Sequence, residues 1–403
     1  MDGPREEIRG AALRLGFASC GFAPAAPPPH ADVFRAWLAA GRHGTMDWLA
    51  REDAVRRRLD PREVLPGCRT LVVAAWSCAP PGGDTLGDAG PAAADRGIIA
   101  AYARGRDYHP RLEERLRRLA ERIEALAPRA ACRPYVDHGP ILERDHAQRA
   151  GLGWIGKNAM LIDPRHGSHL LLGVLLTTLE LEPDAAFAPD RCGTCVRCLE
   201  ACPTGAIVAP RVVDARLCIS YLTIELRGPI PRELRPAIGN RVFGCDICQD
   251  ACPFNRRFAA PATDPAFAAR GPGEAPAGVQ AEGGTRPSPS PHPGTDAPPL
   301  TSLLTTALDE ASWEAFSRGS AIRRAGRAGF ARNVCVALGN WGAPEAVPAL
   351  AAALSDPEPL VRAHAAWALG RVATADARAA LEARAALEAD GEVRSELAAA
   401  LAP

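Results

Sequence analysis

Apolar and polar residues follow two different periods in the first 185 residues of the chain. Apolar positions three and four residues apart predict amphipathic helices, and short continuous apolar runs predict buried strands. The pattern places helices at 6–15, 32–39, 111–126 and 140–150, and strands at 71–77, 133–137 and 169–178. Because these elements lack the regular alternation of a parallel β-α-β fold, we expect the α+β class, with helices and a sheet forming an α/β sandwich.

Beyond residue 300 the composition changes to helical segments rich in Ala and Leu. Three of them begin with arginine: RNVCVALGN at Arg332, RAHAAWALG at Arg362 and RSELAAALA at Arg394. Their spacings are 362 − 332 = 30 and 394 − 362 = 32 residues. A period of this length is typical of an α-solenoid of HEAT-like repeats. Because two or three repeats are marginally stable alone, we expect them to dock on the rest of the chain.

Composition divides the chain into four segments. The mixed pattern of helices and strands occupies 1–185, and a cysteine-rich segment follows at 186–258. Residues 259–300 are rich in Pro and Gly, which predicts a disordered or extended linker. The helical repeats then occupy 301–403.

Charge and apolar content exclude several classes of protein. The chain carries 47 basic and 47 acidic residues, and a net charge of zero argues against gripping nucleic acid by bulk electrostatics. A local basic face remains possible. The N-terminus lacks the pattern of a signal peptide, and the longest apolar run, 170–179, is about half the length of a membrane helix. We therefore expect a cytoplasmic protein without membrane contact.

Eight of the 13 cysteines fall between Cys192 and Cys252. The first run, C-x2-C-x2-C-x3-C-P, has the spacing of bacterial ferredoxins, in which the fourth cysteine binds the other cluster. This crossover predicts two 4Fe–4S clusters, with a cysteine between the two runs completing the second set. The ligands are then Cys192, Cys195, Cys198 and Cys252 for cluster 1, and Cys202, Cys218, Cys245 and Cys248 for cluster 2. Structural zinc is the alternative, because C-x2-C pairs also bind that ion.

A second candidate site follows the predicted strand at 133–137. Asp137 stands where this strand gives way to a helix, and glycines at 151, 153 and 156 let the backbone approach a bulky ligand closely. Lys157, the only lysine among 47 basic residues, follows them. The alternatives are that Asp137 caps a helix, that the glycines are ordinary turn residues and that Lys157 is a solvent-exposed side chain.

Six segments, in this order, resemble the epoxyqueuosine reductase family. They are GRDYH (105–109), YVDHGPILER (135–144), GLGWIGKN (151–158), CISYLTIE (218–225), GCDICQ (244–249), and the RNV and ALGN pieces of 332–340. The resemblance covers about residues 5–370. It implies a cytoplasmic enzyme that removes the epoxide oxygen of epoxyqueuosine at the wobble position of tRNA, the last step of queuosine biosynthesis. It also implies that cobalamin binds in the segment at 1–185 and is reduced by the ferredoxin-like two-cluster module.

The resemblance further implies roles for single residues. Asp137 matches the family's proton donor, and burial against the corrin would give it the raised pKa that proton donation at neutral pH needs. His138 stands where the family usually has Thr, and we expect it to point outward. Contacts to cobalamin are expected from Arg58, Asp137, Lys157, Asn158, Ser168 and Ser220.

A group of arginines near the repeats is the candidate surface for tRNA. Its members are Arg318, Arg323, Arg324, Arg327 and Arg332, which form a local basic patch in a chain of zero net charge. Composition bias is the alternative, because 46 of the 47 basic residues are Arg. We expect the protein to be a monomer and to receive electrons from an external donor.

Two other functions would use part of the same sequence. A reductive dehalogenase-like cobalamin enzyme shares the plan of one corrin and two clusters, but the chain lacks the expected twin-Arg export signal, and the repeats would have no explanation. An electron-transfer ferredoxin protein would need neither the Asp137 segment nor a 185-residue N-terminal domain.

Overall fold

The computed structural model describes residues 3–79, 94–259, 261–267 and 298–402. The linker predicted at 259–300 therefore lies largely outside the described residues, and its conformation stays a prediction. The described residues form ten strands and seventeen α-helices, which are numbered here in chain order.

The strands are β1 (Ser19–Pro24), β2 (Thr70–Ser77), β3 (Ile98–Ile99), β4 (Cys132–Val136), β5 (Trp154–Ile155), β6 (Leu161–Ile162), β7 (Leu170–Thr177), β8 (Ile207–Ala209), β9 (Val212–Val213) and β10 (Arg241–Phe243). The helices are α1 (Pro4–Arg14), α2 (Ala31–Ala39), α3 (Glu52–Leu59), α4 (Tyr108–Leu126), α5 (Glu143–Arg149), α6 (Arg197–Ala201), α7 (Ile219–Ile224), α8 (Arg235–Ile238), α9 (Ile247–Asp250), α10 (Pro253–Phe258), α11 (Leu300–Leu308), α12 (Glu310–Ser317), α13 (Arg327–Trp341), α14 (Val347–Ala353), α15 (Pro359–Val372), α16 (Ala375–Ala385) and α17 (Gly391–Leu401).

Four strands form one antiparallel sheet in the order β1-β2-β7-β4. Val73 of β2 pairs with Val174 of β7, and both belong to a buried core that includes Ala147 of α5. The next residue along β7, Gly173, faces the other way, because a Cβ there would lie 2.9 Å from the Leu116 Cδ1 of α4. Alternate residues therefore contact helices on opposite faces, which explains why all eight residues of β2 are buried. The predicted α+β sandwich is confirmed.

The apolar pattern locates three of the four strands of this sheet and misses β1. The three predicted strands are present as β2, β4 and β7, and the four predicted helices as α1, α2, α4 and α5. Two predicted helix starts are wrong by three residues, because α4 begins at Tyr108 and not at Arg111, and α5 begins at Glu143 and not at Pro140. A turn closed by the Gly139 N–H and the Val136 carbonyl occupies the residues after β4. Asp137 lies in this turn and does not cap a helix.

The chain divides into two compact units. The sheet unit contains the described residues of Met1–Gly83, Asp107–Arg216 and Ile247–Ala268. The repeat unit contains those of Asp84–Arg106, Leu217–Asp246 and Ala269–Pro403. The cysteine-rich segment thus contributes to both units, and the four consecutive segments drawn from composition stay a prediction.

In the repeat unit, the three segments marked by arginine lie in α13, α15 and α17. Helix α15 packs against both of the others. Small residues permit this approach, since a Cβ on Gly339 would lie 2.9 Å from the Ala368 Cα, and one on Gly370 would lie 3.0 Å from the Ala400 Cα. A glycine of α13 thus faces α15, and a glycine of α15 faces α17 in the same way, as expected for a stack of equivalent repeats.

None of the helices that the structure describes combines the length and the apolar composition needed to cross a membrane.

Candidate functional site

Two carboxylates hold one imidazole between them at the start of α4. Asp107 caps α4 by accepting the backbone N–H of His109, and its Oδ1 lies 2.7 Å from His109 Nδ1. Asp137 directly follows β4, and its Oδ1 lies 2.8 Å from His109 Nε2. Asp107 at the helix cap and Asp137 at the strand end therefore form a chain of hydrogen bonds with His109 between them.

The hydrogen bonds from the two carboxylates keep the imidazole of His109 protonated. Burial is the largest single effect and lowers the pKa of His109, but the two carboxylates outweigh it and raise that pKa to about 10. Burial also has the largest single effect on Asp137, whose pKa it raises, yet His109, Tyr108 and His138 together bring that pKa below its ordinary value. Within the chain alone, the neighbouring His109 cation therefore outweighs burial. The raised Asp137 pKa expected from burial against the corrin stays a prediction. At neutral pH Asp137 is ionised and His109 carries the proton.

Aromatic and polar side chains surround this pair. The Tyr108 hydroxyl donates to Asp137 Oδ2, and its ring stacks on His109 with centroids 4.1 Å apart. His138 Nε2 lies 3.3 Å from Glu113 Oε1. The Asp137 side chain is 55% exposed, so a substrate can reach it. Tyr108 and His109 belong to the GRDYH segment, but the sequence alone does not assign them a role in this site. The signal that could have found them is a phenol and an imidazole side by side at the start of a long helix.

A second acid, with one carboxyl oxygen buried, lies a few residues beyond Asp137. Burial raises the pKa of Glu143, at the first position of α5, to about 7. Among the described residues, its Oε1 is buried and has no hydrogen-bond partner. Arg58, whose charge acts on Glu143, is 9% exposed and donates to the Ala54 carbonyl at 3.3 Å. A bound cofactor with amide side chains would supply partners for such groups, so the residues present fit cobalamin.

The only lysine of the chain holds the loop of the first cysteine run. Lys157 Nζ donates to the Gly193 carbonyl at 2.7 Å, inside the first C-x2-C. The glycines before it face the chain itself, since a Cβ on Gly153 would lie 2.1 Å from the Ile162 carbonyl oxygen. The prediction that Gly153 makes room for a bulky ligand is therefore wrong, because the space is needed where β5 pairs with β6.

Two other candidate cobalamin contacts hold the second cysteine run. Asn158 Nδ2 donates to the Cys248 carbonyl at 3.2 Å, and the Ser168 hydroxyl donates to Gln249 Oε1 at 3.0 Å. Both side chains are buried, with 4% exposure for Asn158 and 1% for Ser168. These bonds give them a structural role beside the cysteines. Contact of Asn158, Ser168 and Ser220 with cobalamin stays a prediction.

The four cysteines assigned to cluster 1 lie close together in the sheet unit. Burial raises the pKa of the Cys198 thiol, and the charges of Cys192, Cys252 and Cys195 raise it further. The Trp154 indole N–H donates to Cys192 Sγ at 3.4 Å. Thiols gathered around C-x2-C loops, with an N–H donor aimed at sulfur, fit an iron–sulfur cluster.

The four cysteines assigned to cluster 2 come from both units. Cys202 and Cys248 belong to the sheet unit, where Cys202 Sγ accepts the Ala206 N–H at 3.3 Å. Cys218 and Cys245 belong to the repeat unit, where Cys218 is the N-cap residue of α7 and Cys245 follows β10 by two residues. Their assignment to one cluster stays a prediction.

Three of the arginines predicted to bind tRNA are exposed. Glu314 pairs with Arg318 at 3.6 Å and with Arg323 at 2.9 Å, and Glu225 pairs with Arg324 at 2.8 Å. The side chains of these arginines are 54–56% exposed. They stay candidates for contacts with phosphates, although the acidic partners reduce their net charge.

The other two arginines have structural partners. Arg327 is mostly buried and pairs with Asp356 at 2.8 Å. Arg332 is 1% exposed, and its guanidinium donates to backbone carbonyls that include those of Leu222 and Gly228. Arg332 is therefore not part of an exposed patch, which corrects the prediction for this residue: its charge is directed into the fold.

A reductase needs both a path for electrons and a store of protons. The cysteine runs fit the first requirement and the His109–Asp137 pair fits the second, so the fold and the site define an iron–sulfur reductase. Family models agree with this class. A "4Fe-4S double cluster binding domain" matches residues 191–255, "Epoxyqueuosine reductase QueG, DUF1730" matches 58–138, and "HEAT repeats" match 319–402. The match of the cluster domain favours iron–sulfur clusters over zinc.

Whole-chain relatives make the family specific. An epoxyqueuosine reductase from Pseudomonas aeruginosa is 40% identical over 91% of this chain and 94% of its own length. The enzyme of that name from Escherichia coli is 38% identical over 91% and 89%. A solved structure of epoxyqueuosine reductase with an epoxyqueuosine-modified tRNA stem loop matches with a TM-score of 0.81 and 29% identity, covering 98% of this chain and 97% of that one. The chain belongs to the epoxyqueuosine reductase family and is an oxidoreductase.

Proposed function

We propose that this chain reduces epoxyqueuosine to queuosine at the wobble position of tRNA, the final step of queuosine biosynthesis. Its relatives of that name, and the solved relative with a modified tRNA stem loop, support the substrate. The observation that carries the proposal is the hydrogen bond between His109 and Asp137, which holds a proton in a site open to solvent. Removing an epoxide oxygen as water consumes two electrons and two protons, so such a store is needed.

Electrons and protons have separate sources in this proposal. The two 4Fe–4S clusters carry single electrons, and cobalamin, when bound and reduced, supplies a nucleophilic cobalt centre. The residues of the chain bind the cofactors, orient the tRNA and deliver protons to the oxygen that leaves.

Asp137 is the residue that we assign to protonate the leaving oxygen. Its Oδ1 receives the proton from His109 Nε2, 2.8 Å away, as negative charge develops on the oxygen. Asp107 orients the imidazole from the other side, and the Tyr108 hydroxyl holds the second oxygen of Asp137. This relay does not depend on a raised Asp137 pKa, because the proton is stored on His109.

The cobalamin site that we propose lies beside Asp137 in the sheet unit. Arg58 and Glu143 would meet the polar edge of the corrin, since a buried guanidinium and an unpartnered carboxyl oxygen are the groups a cofactor would satisfy. Lys157, Asn158 and Ser168 support this region through their bonds to the cysteine runs.

For tRNA we propose backbone contacts with the exposed arginines. Arg318, Arg323 and Arg324 lie within seven residues of one another, and phosphate contacts of this kind fix the position of a nucleic acid without reading its sequence. Displacement of Glu314 and Glu225 by phosphate would accompany binding.

The setting that we propose is a cytoplasmic monomer that takes electrons from an external donor. None of the 13 cysteines, all of which lie among the described residues, forms a disulfide bond, which fits a reducing compartment. Size-exclusion chromatography with light scattering tests the oligomeric state.

Anaerobic reconstitution followed by turnover tests the function. With iron, sulfide, cobalamin and a strong reductant, the protein should convert epoxyqueuosine in tRNA to queuosine, as read by mass spectrometry of the nucleosides. A reductive dehalogenase-like enzyme would bind cobalamin but leave epoxyqueuosine unchanged. An electron-transfer ferredoxin protein would bind no cobalamin. Either result would overturn the proposal.

A further inference from the structure

We propose that Asn333 is a positioning residue for the second iron–sulfur cluster. Its side chain ties together the two segments of the repeat unit that carry Cys218 and Cys245, so the first long repeat helix, α13, is part of the cluster scaffold. The inference rests on the proposed assignment of these cysteines to cluster 2. It gives Arg332 and Asn333, the first two residues of the RNV segment, a role other than tRNA binding.

The amide of Asn333 bridges α7 and β10. Its Nδ2 donates to the Thr223 carbonyl in α7 at 2.7 Å and to the Val242 carbonyl in β10 at 2.9 Å. Cys218 is the N-cap residue of α7, and Cys245 lies three residues beyond Val242. One side chain therefore fixes the separation of the two cysteine-bearing segments.

Arg332 fixes the orientation of this amide. Asn333 Oδ1 accepts from Arg332 Nε at 3.1 Å and from Nη2 at 2.9 Å, so both donors of the amide are directed at the two carbonyls. Arg332 in turn donates to the Leu222 carbonyl at 2.6 Å. Asn333 is fully buried and Arg332 is 1% exposed, so water does not compete for these bonds.

Thr223 adds a second tie between the same segments. Its hydroxyl accepts the backbone N–H of Gly244 at 2.9 Å and donates to the Ile219 carbonyl at 2.8 Å. Gly244 directly precedes Cys245 and has a φ of +71°, which other residues rarely adopt. The backbone on the N-terminal side of Cys245 is thus held both at Val242 and at Gly244.

An asparagine is required at position 333 because the site needs two donors and one acceptor on a short side chain. Aspartate has the same shape and would still accept from Arg332. It has no donor for the two carbonyls, however, and would place a carboxylate oxygen against them. Asn333→Asp therefore breaks the bridge while keeping the charged partner satisfied, which favours a folded variant.

Helix α13 offers a matched control. Asn340, two turns further along, also donates its Nδ2 to two carbonyls, those of Arg235 at 2.8 Å and Gly239 at 2.9 Å. Asn340→Asp removes the same kind of bonds from the same helix, but its partners lie in neither α7 nor β10, the two elements that Asn333 joins.

The experiment compares both variants with the wild type after anaerobic reconstitution, by iron analysis and by EPR of the reduced clusters. We expect Asn333→Asp to lose most of one cluster, so that its iron falls towards about half of the roughly eight atoms of two 4Fe–4S clusters. Asn340→Asp should keep both. Wild-type iron and an unchanged spectrum in folded Asn333→Asp would overturn the inference, and so would equal cluster loss in the two variants.

Two further variants distinguish failure of the ligand assignment from failure of the inference about Asn333. Cys218→Ala tests the underlying assignment: if it keeps both clusters, the proposed ligand set fails, whatever Asn333 does. If Cys218→Ala loses one cluster and Asn333→Asp loses none, only the inference fails. Should Asn333→Asp not fold, Thr223→Val decides, because it conserves shape and removes the acceptor for Gly244, together with the bond that the hydroxyl donates to the Ile219 carbonyl within α7. Unchanged occupancy and reduction potential in Thr223→Val would then refute the role of the bridge.

Discussion

The Trp154 indole N–H donates to the sulfur of Cys192, with 3.4 Å between Nε1 and Sγ. Trp154 is 1% exposed and packs against Phe187 and Phe254, with ring centroids 5.7 and 4.7 Å away. The donor is therefore held in place by its surroundings. Hydrogen bonds to the sulfurs of a cluster help to set its reduction potential, because they stabilise the more negative, reduced state.

Trp154→Phe should consequently make the reduction potential of cluster 1 more negative. Phenylalanine keeps an aromatic ring at this position and removes the N–H donor together with the five-membered ring of the indole, a loss of volume that the control below shares. A redox titration followed by EPR measures the shift. Trp37→Phe is the matched control, because Trp37 Nε1 donates to the Val213 carbonyl at 2.7 Å and not to sulfur. An unchanged or more positive potential in Trp154→Phe would contradict the role of this bond.

The crossed ligand sets predict a specific pattern of iron loss. Cys252→Ala and Cys202→Ala should each lose one cluster and keep about half of the iron of two 4Fe–4S clusters. Combining Cys252→Ala with Cys198→Ala should remove no further cluster, since both residues are assigned to cluster 1. Combining Cys252→Ala with Cys202→Ala should remove both clusters. Loss of both clusters in the variant that combines Cys252→Ala with Cys198→Ala would show that the runs are not crossed.

Replacement of Asp137 by Asn should reduce turnover of epoxyqueuosine in tRNA by about 100-fold or more, the usual range for loss of a positioned acid. Cobalamin binding, followed by its absorption spectrum, should persist, because the amide conserves shape. His138→Thr, which introduces the residue usual in the family, is the control and should retain most of the activity. Equal activity of Asp137→Asn and the wild type would refute the assigned role.

The raised pKa of His109 predicts that the folded protein loses stability at alkaline pH. Its pKa is raised from 6.5 to about 10 in the folded chain, so the folded state holds the proton more tightly than the unfolded state. The resulting stabilisation is complete below pH 6.5 and is lost as the pH rises through about 10. Between these values, the melting temperature of the wild type should fall by more than that of His109→Gln. Parallel curves for the two proteins would be incompatible with this shift.

Charge reversal at Arg323 and Arg324 should weaken tRNA binding. The plot of log affinity against log salt should become flatter by about 0.7–0.9 for each phosphate that the protein no longer neutralises. Arg378→Glu is the control, since Arg378 is also exposed and ion-paired, with Glu382 at 2.9 Å, but lies outside the 318–327 segment. Binding assays at several salt concentrations measure both effects. Equal slopes for all three proteins would exclude the patch.

The sequence predicts those features that depend on local pattern. The buried strands, the amphipathic helices and the repeat period follow from residue spacing, and the cysteine spacing indicates the iron–sulfur clusters. Two features could not be predicted because they depend on partners distant in the chain. The pKa of Asp137 is set by His109, 28 residues away. Arg332 resembles an exposed arginine until the carbonyls of Leu222 and Gly228, more than 100 residues earlier, are found around it.

The buried pair of Arg332 and Asn333 also limits how this chain can be recombined. Together they satisfy five backbone carbonyls, those of Leu222, Thr223, Leu226, Gly228 and Val242. A foreign repeat module without this pair would bury those oxygens without donors, at a cost of about 1–3 kcal/mol each. Such a sum approaches the total stability of a typical domain, about 5–15 kcal/mol. The repeats therefore cannot simply be replaced by those of another protein. A chimera that folds must keep the arginine–asparagine pair together with residues 217–246.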